Sequence, residues 1–200
     1  MFIQVIQGQA LDREGLKAQL DRWVSEIAPS VEGWLGTTAG VTAGGQFVAL
    51  ARFESEDAAR RNSGRPEQDQ WWAETAKLFD GEVTFRDSLE AEEFLKGGSD
   101  DAGFVQVITG QTRDLDKMRA LNEQYGQYAH LRPDVIGGVV AIHEDKLFTQ
   151  AVYFTSEAEA RAAEKEQPPE EMKAVVDEEN DLVQGLAYID IEQPWLYSPR

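Results

Sequence analysis

The sequence contains no cysteine, which excludes disulfide bonds, thiolate nucleophiles and cysteine-ligated metals. It is also poor in positive charge, because 19 Lys and Arg residues stand against 37 Asp and Glu residues, giving a net charge of −18. Binding to nucleic acids or to anionic membranes requires clustered positive charge. We therefore expect neither nucleic acid nor membrane as a partner.

Long hydrophobic runs are absent too, and no stretch of about 18 apolar residues could span a bilayer. Residues Met1–Gln7 have neither the basic nor the apolar region of a secretory signal, so we expect a cytoplasmic protein. The two histidines, His130 and His143, are predicted to be exposed. Neither has a second histidine or a carboxylate at metal-ligand spacing, and we expect no metal site.

The chain of 200 residues is organised by a repeat of about half its length. The segment Phe2–Gln9 (FIQVIQGQ) reappears 102 residues later as Phe104–Gln111 (FVQVITGQ). Further matches follow in the same order: Asp12 with Asp114, Trp23 with Tyr125, Arg52–Glu56 with Tyr153–Glu157, and Val83–Asp87 with Leu186–Asp190. Five matches in one order indicate two copies of one unit, with small length changes in the loops.

Each copy has the periodicity of a strand, a helix, two strands, a helix and a final strand. Residues 2–8 are apolar on both faces and predict a strand covered from both sides, and Asp12 predicts the start of a helix that ends near Pro29. The remaining predicted elements are hairpins over 34–39 with 46–53 and 139–143 with 147–154, helices after Ser55 and Ser156, a helix over Glu67–Phe79, and last strands over 82–88 and 185–191. This βαββαβ order is that of a ferredoxin-like unit.

The predicted fold class is α+β, with two ferredoxin-like βαββαβ repeats packed sheet to sheet, because helices cover only one face of each sheet. We expect the first repeat over residues 1–96, a linker over 97–103, and the second repeat with a C-terminal arm over 104–200. Since the two repeats already pair within one chain, we expect a monomer or a weak homodimer.

Two apolar pairs follow the last strands of the repeats, Phe94-Leu95 and Trp195-Leu196. Each pair predicts an arm that docks across the other half of the chain. The surrounding segment 90–103 contains Gly97-Gly98-Ser99 and is predicted to form the linker.

With this order of elements, and with Val5-Ile6 and Val107-Ile108 opening the halves, the sequence resembles the dimeric α+β barrel superfamily. It looks most similar to antibiotic biosynthesis monooxygenase-like domains, here in tandem duplication. The resemblance implies an intramolecular dimeric α+β barrel with a ligand pocket between the helices and the sheet of each unit. The group includes cofactor-independent oxygenases of polycyclic phenols, haem-degrading enzymes and proteins of unassigned activity.

The haem-degrading members use a histidine late in the second helix. The corresponding regions, 67–82 and 168–185, contain no histidine, so we expect no haem and no other cofactor.

Aromatic and cationic residues in the first half are the candidates for ligand binding. They are Trp23, Trp34, Trp71, Trp72, Phe85, Arg52, Arg86 and Gln4. Aromatic walls suit a flat aromatic ligand, and an arginine in a two-sided sheet needs a carboxylate or an anionic ligand as its partner. Alternatively, the aromatic residues are core and the arginines reach solvent or pair with Glu54 and Asp87.

Two other groups of residues also allow two interpretations. Gln4 and its repeat equivalent Gln106 are either structural amides or groups that orient a ligand. Tyr125, Tyr128, Tyr153 and Tyr188 either give the second half a phenolic pocket or belong to its core.

Two functions stay open. One is a binding protein for a small aromatic or phenolic molecule, with cofactor-independent monooxygenation as its candidate reaction. That reaction requires a dry pocket, an acceptor for the phenol and a cation such as Arg52 or Arg86. The other is a non-catalytic stress-response or scaffold protein. An enzyme would need Arg86, Gln4 and a tryptophan in one cavity, and no catalytic residue is assigned.

Overall fold

The computed structural model describes residues 1–199 and divides them into two compact units. Unit 1 consists of Met1–Glu90 and the C-terminal segment from Pro194, and unit 2 consists of Ala91–Gln193. Each unit contains one five-stranded sheet and its own helices, so the fold class is mixed α+β. Across the described residues, none of the helices is both long and apolar enough to cross a membrane.

Unit 1 has the predicted order of strand, helix, two strands, helices and strand. Its elements are β1 (Phe2–Ala10), α1 (Arg13–Arg22), β2 (Trp34–Val41), β3 (Gln46–Phe53), α2 (Glu56–Ser63), α3 (Pro66–Thr75) and β4 (Phe79–Asp87). Asp12 caps α1 by accepting a hydrogen bond from the Gly15 amide at 2.9 Å, as the sequence predicts. The helix predicted over Glu67–Phe79 ends earlier, because Phe79 pairs with Ala10 and begins β4.

Unit 2 repeats this order after one additional strand. Its elements are β5 (Glu90–Leu95), β6 (Phe104–Thr112), α4 (Leu115–Gln127), β7 (Val135–Ile142), β8 (Leu147–Phe154), α5 (Glu157–Glu164), α6 (Lys173–Leu182) and β9 (Val183–Ile191). Ser156 caps α5 as Ser55 caps α2, each by accepting a hydrogen bond from the amide three residues later. The two units therefore begin their helices with the same local interactions.

The fifth strand of each sheet is an arm that follows the other repeat in the sequence: β5 follows the first repeat and joins the sheet of unit 2, and the strand at the C-terminus joins the sheet of unit 1. The last strand, β10 (Trp195–Tyr197), pairs with β2 and gives unit 1 the order β10-β2-β3-β1-β4. In unit 2 the order is β5-β7-β8-β6-β9. The arms predicted from the two apolar pairs are thus present. Within the segment 90–103 that the sequence predicts to be the linker, residues 90–95 form a strand at the edge of the unit 2 sheet.

A glycine at the equivalent position of each unit leaves room for the backbone of the arm. A Cβ on Gly36 of β2 would lie 2.6 Å from the Tyr197 carbonyl oxygen, and a Cβ on Gly137 of β7 would lie 2.1 Å from the Gly97 carbonyl oxygen. Both glycines also lie where the register between paired strands shifts. A side chain at either position would collide with the backbone of an arm.

The sheets are apolar on both faces, as the sequence predicts. In unit 1, Phe47 and Phe53 lie on the face that carries the helices, whereas Ile3 and Leu50 lie on the other face and are fully buried. In unit 2, Val105 and Val107 are fully buried in the same way. Packing of the two sheets against each other stays a prediction.

The first prediction concerns the C-terminal arm. Trp195 is only 6% exposed, and its ring lies 6.4 Å from that of Phe47. We expect Trp195→Ala to lower the free energy of unfolding by about 3–5 kcal/mol, because the substitution leaves a cavity in the core. Urea unfolding measures this loss, and the half-buried Leu196→Ala should cost less. A Trp195→Ala protein as stable as wild type would contradict the docked arm.

The second prediction concerns Gly137. We expect Gly137→Ala to lower the melting temperature by several degrees, because its methyl group cannot fit beside the Gly97 carbonyl. Gly126→Ala is the control, since a Cβ at Gly126 meets nothing within 4 Å and alanine is the better helix former. The control should melt at the same temperature as wild type or higher. Equal melting of both variants would show that the arm does not approach β7 this closely.

Candidate functional site

The tryptophans predicted to line a pocket in the first half form most of the aromatic core of unit 1. Trp23, Trp34 and Trp71 are each 6–7% exposed, and Trp72 is partly buried against them. The rings of Trp23 and Trp34 meet edge to face at 5.1 Å, and those of Trp71 and Trp72 lie 6.0 Å apart. A cavity of about 80 Å³ remains among these side chains.

The protein supplies a hydrogen-bond partner for the indole N–H groups of Trp23, Trp34 and Trp71. The bonds are Trp23 to Gln68 Oε1 at 2.6 Å, Trp34 to Thr37 Oγ1 at 3.0 Å and Trp71 to the Gln19 carbonyl at 2.8 Å. Buried indoles in protein cores have such partners. This arrangement fits the core interpretation of the tryptophans.

The arginines lie on the opposite face of the sheet. Arg52 is paired with Ile3 and Arg86 with Val5, and antiparallel partners share a face. Phe85 lies instead on the face that carries the helices, with its ring 5.0 Å from that of Trp72. Neighbouring strand residues point to opposite faces, so Phe85 and Arg86 could not line one pocket.

Burial also separates the two arginines. Arg52 is 6% exposed, whereas Arg86 is exposed. The structure therefore does not bring Arg86, Gln4 and a tryptophan together in one cavity, because Gln4 lines the cavity from the other side of the sheet.

Gln4 and Gln106 make the same interaction in the two units. The Gln4 side-chain amide donates to Asp87 at 2.8 Å, and the Gln106 amide donates to Asp190 at 3.0 Å. Each bond joins the first strand of the unit to its last strand. The repeated pairing favours the structural interpretation of these amides, although both residues also border a cavity.

Unit 2 has a cavity of about 260 Å³ between its helices and its sheet, larger than the cavity of about 80 Å³ in the equivalent place of unit 1. Its aromatic lining consists of Phe94, Tyr125, Tyr128 and Phe154. Its polar lining consists of Gln106, Asn122, Arg132, Gln150 and Glu179. A mostly apolar wall with a few polar groups is typical of sites for small organic molecules.

Smaller side chains explain why this cavity is larger than its counterpart. By the repeat, Tyr125 replaces Trp23. Val135 occupies the register position of Trp34, since each pairs with the last residue of the neighbouring strand. At these two positions an indole of unit 1 is thus replaced by a smaller group in unit 2.

Glu179 and Tyr125 form a hydrogen-bonded pair in the wall of this cavity. The Tyr125 hydroxyl on α4 donates to Glu179 Oε2 on α6 by a short bond. Burial raises the pKa of the Glu179 carboxyl, and the bond from Tyr125 partly offsets that rise. The pKa of Tyr125 is raised as well, by burial and by the neighbouring carboxylate.

The cavity also has a cation, but an acid in the protein already pairs it. Arg132 donates two hydrogen bonds to Asp134, at 2.9 Å from Nε and 2.7 Å from Nη2. This bidentate geometry is the strong form of the arginine–carboxylate pair. Arg132 therefore does not offer the wall an uncompensated positive charge.

Glu179 was missed because its neighbourhood reads as a solvated acidic helix face. The signal lies in its spacing, since Val175, Glu179 and Leu182 recur at the helical interval of one face. Val175 and Leu182 are buried. An acid within an apolar stripe points into the protein rather than into solvent.

The histidines differ from the expectation in one case. His130 is exposed as predicted, but His143 is buried at 3% exposure, and its Nε2 lies 3.0 Å from Thr149 Oγ1. The prediction that His143 is exposed is wrong, because a polar partner on β8 satisfies it. In residues 1–199, no group of three or more metal-ligating side chains is placed to hold a metal ion.

Sequence comparison finds no family model and no curated protein that matches this chain. Structure comparison finds similar folds over nearly its whole length. A candidate monooxygenase from Fusobacterium nucleatum has a TM-score of 0.78 at 8% identity and covers 98% of this chain and 94% of its own. A candidate monooxygenase from Lactobacillus acidophilus has a TM-score of 0.73 at 12% identity and covers 98% and 99%.

An anthrone oxidase-like protein is also similar, with a TM-score of 0.70 at 11% identity, covering 98% of this chain and 92% of its own. At these identities the likeness concerns the fold. The chain therefore has the fold of monooxygenase-like α+β proteins.

The third prediction concerns Glu179 and pH. A raised pKa means that the folded chain holds the proton more tightly than the unfolded chain does, so stability falls as pH rises above the ordinary value of 4.5. We expect Glu179→Gln to remove this loss, and the stability difference from wild type should grow in favour of the variant with rising pH. Urea unfolding at a series of pH values measures the difference.

Asp177→Asn is the control for this experiment, because Asp177 is exposed on the same helix and carries the same formal charge. Its stability relative to wild type should change less with pH. If the two variants had the same pH dependence, burial of Glu179 would not be its cause.

Proposed function

We propose that this protein binds a small aromatic molecule in the cavity of unit 2. The observation that carries the proposal is the cavity of about 260 Å³, with aromatic walls and few polar groups. The corresponding cavity in unit 1 is only about 80 Å³, because indole side chains occupy most of the space between its helices and its sheet. Moving an aromatic ring from water to such walls lowers the free energy, and the polar groups fix the orientation of the ring.

The candidate reaction is oxygenation without a cofactor. In that chemistry an ionised phenol reduces dioxygen itself, and the protein supplies a dry pocket and hydrogen-bonding groups. The fold shared with proteins described as candidate monooxygenases and as anthrone oxidase-like favours this reaction class by analogy. The alternative is a protein that uses the same cavity for binding alone. Oxygen uptake with a bound phenol distinguishes the two.

The candidates in unit 1 remain a second proposed site. Trp23, Trp71, Trp72 and Gln4 border the smaller cavity, and Phe85 packs on Trp72. Ligand binding there would require the indoles to move apart.

The proposal also includes the tandem duplication and the packing of the two repeats, sheet to sheet, as a barrel. The matching order of elements in the two units supports both.

The fourth prediction distinguishes the two cavities with one probe, 2-naphthol. Ala129 lines the cavity of unit 2, and Ser63 lines that of unit 1. We expect Ala129→Phe to weaken binding at least tenfold, because the new ring occupies the space of the ligand. Ser63→Phe should leave binding unchanged. Isothermal calorimetry measures both, with circular dichroism to confirm folding.

Two results would contradict the proposal. If wild type took up no 2-naphthol, the cavity would not bind a small aromatic molecule. If Ser63→Phe alone lost binding, the site would lie in unit 1.

A further inference from the structure

The wall of the unit 2 cavity contains one carboxyl group among otherwise uncharged or paired side chains. Its charged and titratable lining groups are Glu179, Arg132, Tyr125 and Tyr128. Arg132 is bonded to Asp134, and Tyr125 is bonded to Glu179 itself. The negative charge of Glu179 is thus the uncompensated charge of this wall within the described part of the chain.

We propose that Glu179 determines the specificity of this cavity by accepting a hydrogen bond from a hydroxyl or N–H group of a molecule that enters in neutral form, and by excluding molecules that enter as carboxylates. The inference rests on the proposed function, since it concerns the same cavity. It adds that the ligand is neutral, a property that the size of the cavity and its aromatic walls do not determine.

The hydrogen-bonding capacity of Glu179 supports the first half of this proposal. An ionised carboxylate offers about four acceptor positions on its two oxygens. Within residues 1–199, the Tyr125 hydroxyl is the donor that Glu179 receives, and it binds Oε2. The remaining oxygen, Oε1, keeps its acceptor capacity for a donor brought by a ligand. A donor on the ligand therefore completes the interactions of this half-buried acid.

Charge supports the second half of the proposal. An anion placed beside Glu179 would meet a like charge in a site of reduced dielectric constant, where repulsion is stronger than in water. The positive charge of Arg132 is already balanced by Asp134, to which it donates two hydrogen bonds. The arginines that were predicted to attract an anion, Arg52 and Arg86, belong to unit 1 and lie on the helix-free face of its sheet. The cavity thus favours neutral over anionic aromatic ligands.

Two probes with the same ring test this inference, neutral 2-naphthol and anionic 2-naphthoate. Calorimetry is done at pH 8, which lies well above the ordinary pKa of a glutamate and below that of a phenol. We expect wild type to bind 2-naphthol at least tenfold more tightly than 2-naphthoate. Glu179→Gln should reduce that ratio about tenfold, by weakening the naphthol complex and strengthening the naphthoate complex.

Two further variants separate this effect from general electrostatics and from misfolding. Asp177→Asn removes one negative charge from the exposed side of the same helix and should keep the wild-type ratio. Tyr125→Phe removes the internal donor but leaves the carboxylate, so the preference for 2-naphthol should persist. Loss of the preference in Tyr125→Phe would overturn the inference even if Glu179→Gln did not fold.

The remaining outcomes distinguish the inference from the proposed function. A ratio unchanged by Glu179→Gln would overturn the role of Glu179 and leave the cavity as an aromatic site. A wild-type preference for 2-naphthoate would do the same. If wild type bound neither probe, the proposed function would fail, and this inference would fail with it.

Discussion

Both units depend on the backbone hydrogen bonds that join an arm to the edge of the other four strands of the sheet. Without β10, the outer edge of β2 would present unpaired N–H and C=O groups, and without β5 the edge of β7 would do so. The arm of unit 2 has a second role, because Phe94 and Leu95 form part of the cavity wall. In unit 2, the strand that completes the sheet therefore also supplies part of the cavity wall.

The two units show how one backbone arrangement can give a packed core or an open cavity. Strand order, registers, helix caps and the pairing of a glutamine with an aspartate are the same in both. The difference lies in side-chain volume at a few positions, such as Trp23 against Tyr125 and Trp34 against Val135. Because protein interiors are close-packed, losing an indole from such a position opens space unless the backbone collapses onto it.

The sequence predicts the fold well because its signals are local or repeated. Asp12 and Ser55 cap helices through contacts within three residues, and the recurrence of FIQVIQGQ as FVQVITGQ indicates the same order of elements in both halves. The site was harder to predict, because its residues are defined by which face they occupy. Arg86 and Phe85 are adjacent in sequence but lie on opposite faces of one sheet. Glu179 sits in a run of acids, and its burial follows from α4 packing opposite it, which composition alone does not indicate.

The exchange of arms also sets an order of events during synthesis. β10 consists of residues 195–197 of a 200-residue chain, yet it belongs to the unit that the ribosome makes first. Unit 1 therefore leaves the ribosome with the edge of β2 open until the whole of unit 2 has been translated. Unit 2, in contrast, receives β5 before any of its other strands emerges. The half with the cavity can complete its sheet as it is made, whereas the half with the tryptophan core completes its sheet last.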